Sequence, residues 1–216
     1  MNKGNFLRMA AAGLGALLVA GVAGAAFADD TDTVNETDLL VTVGPLSTGA
    51  LTLSVAGPSA TFAEDTSNAD TAIRVFTATL PDVTVSDTRA AADIDPAYAW
   101  YVVGTATDFE DVANVAADIP AGRLGWTPAL ASSVDPSEVS EGDPVLTTYD
   151  ARTTVDPVPA DNVGLVGSEL FALAGGSAAI NPTGSWTGNA ALVLKADATV
   201  APASYKSVLT LSLFED

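Results

Sequence analysis

The chain contains no histidine and no cysteine, so carboxylates, hydroxyls and aromatic rings are the side chains left to do chemistry. That inventory excludes Ser-His-Asp and Cys-His nucleophilic catalysis and the usual zinc and copper ligands. The carboxylates cluster, with Glu64 and Asp65 near Asp70, Asp93 beside Asp95, Asp108 close to Glu110 and Asp111, and Glu141 close to Asp143. Hard oxygen ligands of this kind suit calcium. Two carboxylates at the right separation can also hydrolyse a glycosidic bond as acid and nucleophile. None of the clusters matches an EF-hand loop or a Gly-Asp nonapeptide repeat, and no pair is set apart by its sequence setting. Solvated surface charge is therefore the default reading. No enzyme, catalytic residue, metal ligand or cofactor is expected, and calcium is the one ion these groups would suit.

Aromatic rings and one ion pair offer recognition instead of catalysis. Trp100, Trp126 and Trp186 are the only tryptophans, and indole rings either stack on the C–H faces of sugars or fill β-sandwich cores. Trp100 stands in an apolar run and reads as core. Trp126 and Trp186 stand among turn formers such as Gly125, Pro128, Gly184 and Gly188, which makes them the better candidates for exposed ligand contacts. All three are taken as candidate ligand-binding residues. Asp87 and Arg89 are two apart, on one face of an extended strand, where they can pair with each other or anchor the turn that follows.

The elements that must position these residues are strands. Apolar and polar residues alternate at Leu39, Val41 and Val43, at Leu51, Leu53 and Val55, and over residues 73–80, with Val83 and Val85 continuing beyond Pro81. Further strands are expected at residues 100–103, 145–149, 170–173, around Leu192 and Leu194, and over 205–213. Turn formers lie between them, as at Gly57 and Pro58, Asp95 and Pro96, Asp135 and Pro136, and Asn181 and Pro182. The fold class is all-β, a single antiparallel β-sandwich, Ig-like or jelly-roll-like, spanning residues 38–216. A helix is expected only locally, near residues 111–117. Residues 131–144 read as a long exposed loop, and no internal repeat of fixed period occurs.

Lys3 and Arg8 precede an uncharged run of Ala, Gly, Leu and Val that ends in Ala26, Phe27 and Ala28. This is the order of a secretory signal peptide over residues 1–28, with cleavage before Asp29. An acidic, disordered lead-in is expected over 29–37. Removing the signal takes away two of eight basic residues and none of the 27 acidic ones, moving the formal charge from −19 to −21. Such a chain repels nucleic acid and anionic lipid. It is expected outside the cytoplasm, extracellular or associated with the cell wall, with no stable membrane insertion once the signal is cleaved.

Two segments resemble a known family. Val83, Asp87 and Arg89, followed by Trp100, Tyr101 and Val102 and by Phe109, resemble the opening of WxL-type cell-surface domains. Tyr205 with Leu209, Thr210, Leu211, Ser212 and Leu213 is similar to that family's closing strand. Asp87, Arg89, Trp100 and Tyr205 are thus the family-like positions. Val102 replaces the leucine of the first W-x-L, and Leu211 stands where the second tryptophan belongs, a pattern closer to divergent relatives in high-GC Gram-positive bacteria. The resemblance implies an exported β-rich domain attached non-covalently to peptidoglycan. The expected function is a secreted, non-catalytic cell-surface protein whose partners are cell-wall glycan or other surface proteins. The alternatives are a subunit of a secreted filament joined by strand addition, with residues 38–43 as the spare strand, and, less favoured, an extracellular glycan hydrolase. The sequence shows no sortase signal, lipobox cysteine or hydrophobic C-terminal tail, so retention at the surface would be by reversible association. Because the last strand reads as integral to the sandwich, deletion of residues 205–216 is expected to abolish cooperative thermal unfolding; a soluble truncation that still melts cooperatively would contradict this architecture.

Overall fold

Alternation of apolar and polar residues gives each strand one face to bury, and two antiparallel sheets stack those faces against each other. The computed structural model describes residues 49–68, 70–150 and 164–216. The expected signal peptide, the acidic lead-in and the expected strand at 38–43 lie outside the described residues. The strands are β1 (Leu51–Val55), β2 (Ala63–Glu64), β3 (Ile73–Asp87), β4 (Trp100–Ala106), β5 (Glu110–Asp111), β6 (Leu124–Leu130), β7 (Val139–Glu141), β8 (Glu169–Ala174), β9 (Ser185–Asp197), β10 (Tyr205–Lys206) and β11 (Leu209–Glu215). One sheet runs β1-β3-β9-β6, with β2 also on β3; the other runs β11-β4-β8-β7, and β10 pairs with β5 in a small ribbon. Two short 3-10 turns (Ala91–Asp93 and Ala121–Arg123) and one short helix, α1 (Ser177–Ile180), complete the described elements.

The long strand β3 carries both predicted segments in one element. Leu80 pairs with Ala190 and Val83 with Gly188, so Pro81 and Asp82 together face the single residue Asn189. This bulge switches the buried positions from even to odd numbers, and Val83, Val85 and Asp87 point inward beyond it. A proline is tolerated here because a bulge needs no N–H from it.

The core is closed by rings that cross between the sheets. Trp100 on β4 lies 5.5 Å from Trp186 on β9, and Trp126 on β6 lies 5.7 Å from Phe171 on β8. Trp126 reaches the opposite sheet because β4 has a glycine beneath it: a Cβ on Gly104 would sit 2.5 Å from Trp126 Cη2 and 2.7 Å from Cζ3. Among the described residues no helix is long and apolar enough to cross a membrane.

Three expectations at the level of elements are corrected. Residues 111–117 are not helical: Asp111 ends β5, and its carboxylate accepts the N–H groups of Ala113, Val115 and Ala116 in a turn where Asn114 has φ +54°. Residues 145–149 do not form a strand. Val145 forms an isolated bridge, exchanging both backbone hydrogen bonds with Trp126 on the edge of β6, the Leu146 carbonyl accepts from Gly164, and the chain then turns at Thr147, whose hydroxyl donates to Asp150. The loop at 131–144 is exposed for most of its length but includes β7.

The indole and the glycine beneath it should be energetically coupled. Trp126→Ala is expected to cost about 3–5 kcal/mol and Gly104→Val about 1–3 kcal/mol. In the double variant the valine enters space the indole has left, so the combined loss should fall short of the sum; chemical denaturation of the four proteins measures this, and strict additivity would contradict the packing.

Candidate functional site

One guanidinium joins the two sheets at one end of the sandwich. Asp87 ends β3 in the first sheet, Glu215 ends β11 in the second, and Arg89 lies in the loop between β3 and β4. Arg89 donates through Nε and Nη2 to the two oxygens of Asp87 at 2.9 and 2.7 Å, and through Nη1 and Nη2 to those of Glu215 at 2.7 Å each. Both forks are bidentate, the geometry that suits guanidinium to carboxylate. The Arg89 backbone N–H also donates to Asp87, and Asn181 Nδ2 donates to the Arg89 carbonyl. The hydrogen bonds from Arg89 hold the carboxyl groups of Asp87 and Glu215 below their ordinary values, and the two carboxylates raise the Arg89 pKa further. The sequence suggested either a pair or a turn anchor; Asp87 and Arg89 form both. Glu215, the third member, was not legible, because its partner lies 126 residues away in sequence.

A second polar network occupies the start of β6 and the end of β9, and sequence reasoning did not find it. The Arg123 guanidinium lies 3.7 Å from the centre of the Tyr149 ring and 3.6 Å from Asp197, the Tyr149 hydroxyl contacts Asp197, and Lys195 pairs with Asp150.

Many of the remaining carboxylates serve the backbone. Asp65, Asp95, Asp108 and Asp135 accept the N–H groups of Ser67, Ala97, Ala121 and Ser137, and Glu64 pairs with Arg74. Those of Asp65, Asp95 and Asp135 are the turn-closing bonds that aspartate makes when its side chain reaches an N–H two residues on, while Asp108 reaches across 13 residues to Ala121. Among the described residues no group of three or more acidic side chains is arranged to hold a metal ion.

The tryptophans do not form an exposed site. Trp100, Trp126 and Trp186 are 1%, 1% and 2% exposed, so the assignment of Trp126 and Trp186 as surface ligand contacts is corrected, and Trp100 is core as its apolar run suggested. Gly125, Pro128 and Gly188 had read as turn residues, yet they lie in β6 and β9, where Gly188 lets the backbone of Ala129 approach closely; Gly184, at φ +71°, does end the turn before β9. Trp186 donates through Nε1 to Glu138 at 2.9 Å. Of the family-like residues, Asp87, Arg89 and Trp100 are brought together, since Trp100 pairs in register with Glu215. Tyr205 stands apart on β10, with its hydroxyl donating to the Ala201 carbonyl.

Two rings that face outward side by side are Tyr101 and Phe214. They are register partners on β4 and β11, with centroids 5.4 Å apart and planes 22° apart. Leu173 on β8 is the partner of Tyr101 on its other side, so the row Phe214, Tyr101, Leu173 crosses three adjacent strands on the outer face of the sheet. Phe214 is 48% and Leu173 39% exposed. Ser140 on β7 extends the row, and Ser212 and Val103 form the next one. The result is a platform of aromatic, aliphatic and hydroxyl side chains, none of them charged. Sequence alone passed it over because outward aromatic residues in a strand look the same as inward ones until the parity of the sheet is known.

No protein-family model, no curated protein and no solved structure matches the chain. The resemblance to WxL-type domains therefore stands on the residues quoted for it. Of the segments quoted for it, β4 and β11 are neighbours in one sheet, whereas Val83 and Asp87 lie on β3 in the other sheet and Tyr205 on β10.

The Arg89 cluster sets a pH dependence. Both carboxyl groups have depressed folded-state values, so the stability they contribute is complete above their ordinary values of 3.8 and 4.5 and is lost as pH falls through the lower folded ones. Arg89→Met, which leaves two carboxylates unpaired and one of them buried, is expected to cost about 3–5 kcal/mol at neutral pH. It should also flatten the fall in melting temperature between about pH 4.5 and pH 2. Melting curves across that range test both; an unchanged acid profile in the variant would show that the cluster does not link the sheets.

Proposed function

We propose that this protein is an exported, non-catalytic cell-surface protein, extracellular or associated with the cell wall, that binds wall glycan non-covalently through the outer face of the β11-β4-β8-β7 sheet. The observation that carries this reading is the stacked pair Tyr101 and Phe214 with Leu173 beside it. Aromatic faces gain from contact with the C–H faces of a sugar ring, and neighbouring hydroxyls can meet the sugar's polar edge. A row of side chains across adjacent strands on an open sheet face suits a long polymer better than a small molecule, which a concave pocket would enclose. The strong negative charge supports a neutral or cationic partner and argues against nucleic acid and anionic membrane. The residue inventory, without histidine or cysteine, supports a binding role over catalysis.

Sedimentation of the chain from Asp29 onward with insoluble peptidoglycan tests the reading. Saturable co-sedimentation is expected, with loss of about fivefold in affinity for Tyr101→Ala and for Phe214→Ala, since one ring–ligand stack contributes about 1 kcal/mol. Both residues lie on the outer face, so these variants should keep the wild-type melting profile more nearly than any core substitution. Absence of sedimentation at any concentration would shift the assignment to a protein partner at the surface.

A further inference from the structure

A cavity of about 660 Å³ opens between β1 and β11. Its volume falls within the roughly 300–1,000 Å³ of small-molecule sites. Leu80 and Leu192, both buried, form its floor, with Leu53 and Val55 on one side and Leu209 and Leu211 on the other. Leu53, Leu209 and Leu211 are only half-buried and Val55 is 43% exposed, so the walls leave apolar surface against water. A ligand that covers this surface with aliphatic groups gains from removing both from water.

The cavity also differs from the rest of the molecule in charge. The chain carries 27 acidic and 8 basic residues, yet no carboxylate lines the cavity, and its single charged lining residue is Lys206. Arg74, Arg89, Arg123 and Lys195 each pair with a carboxylate, whereas Lys206 has no ion pair among the described residues. Lys206 is exposed and begins the wall that continues through Ser207 to Leu209 and Leu211. From Lys206 to Leu211 that wall runs at most roughly 17 Å, at about 3.3 Å per residue. An elongated apolar trough with one ammonium on its wall matches a ligand of the same layout. We propose that this cavity binds a long-chain carboxylate, with the aliphatic tail lying between β1 and β11 and the carboxylate meeting Lys206 Nζ. The few polar groups of the wall then orient the head, and the leucines hold the tail. A single cation does not suffice to hold an anionic membrane surface against a chain of this acidity, which favours the free amphiphile over a bilayer lipid.

Calorimetric titration of the chain from Asp29 onward, which retains every described residue, with dodecanoate below its micellar concentration tests the site. Saturable binding of one dodecanoate per chain is expected. Lys206→Glu, at an exposed position, should weaken it about fivefold or more and strengthen the binding of dodecylammonium, which has the same tail and the opposite charge. Val55→Asp, on the exposed part of the wall, should abolish dodecanoate binding. Thr52→Asp adds the same charge to β1 outside the cavity and should change the affinity by less than about twofold. Absence of saturable binding would overturn the assignment. So would an equal response to the two aspartate variants, or a preference of the unaltered chain for dodecylammonium, the pattern of adsorption to an acidic surface. Sedimentation with phosphatidylglycerol vesicles without dodecanoate binding would make a membrane the partner and overturn it as well. Tyr101→Ala should leave dodecanoate binding unchanged, so failure of this site and failure of glycan binding at the outer face are read separately.

Discussion

Everything at the closed end of this sandwich depends on one guanidinium shared by two carboxylates from opposite sheets. Asp87 and Glu215 approach the same point at the ends of β3 and β11, and without Arg89 their charges would push those ends apart. No disulfide can take over the task. Trp100 pairs in register with Glu215 and packs against Trp186, so the ion pairs sit directly over the ring contact that closes the core. At the other end, among the described residues, no ion pair ties β1 to β11, and a cavity of about 660 Å³ opens between them.

The sequence made the architecture legible where alternation was regular and hid it where small residues interrupted. β1, β3, β4, β8 and β11 follow from their alternation, and the bulge at Pro81 did not obscure β3. The first half of β9 and all of β6 were missed because Gly125, Pro128, Gly184 and Gly188 resemble turn signals. In the folded chain some of those small residues make room for a neighbour: the carbonyl of Ala129 approaches Gly188, and that of Val145 approaches Gly125. Propensity yields here to close packing. The local pair Asp87 and Arg89 could be read from spacing alone. Glu215, the cross-sheet tryptophan contacts and the outward stack of Tyr101 on Phe214 could not, because each joins residues whose proximity only sheet topology decides.

The surface divides its labour in a way that bears on the proposed function. Aspartates at turns spend their oxygens on backbone N–H groups, and the row Phe214, Tyr101 and Leu173 carries no charged side chain in an otherwise acidic molecule. Phe214 and Glu215 are adjacent in sequence yet point to opposite sides of β11, one to the aromatic platform and one to the ion-pair cluster. The orientation of the platform's outermost ring is therefore tied to the contact that holds the two sheets together.

The order of strands in space also governs when the molecule can form. β4 takes its partner from residues 209–215, and Ile73 at the start of β3 is matched with Asp197. Pairings across such separations make folding slow, because loop closure precedes the contacts that reward it. The two carboxylates that share Arg89 are met only when residue 215 has been synthesised. The two-sheet fold is therefore complete only when almost all of the chain exists.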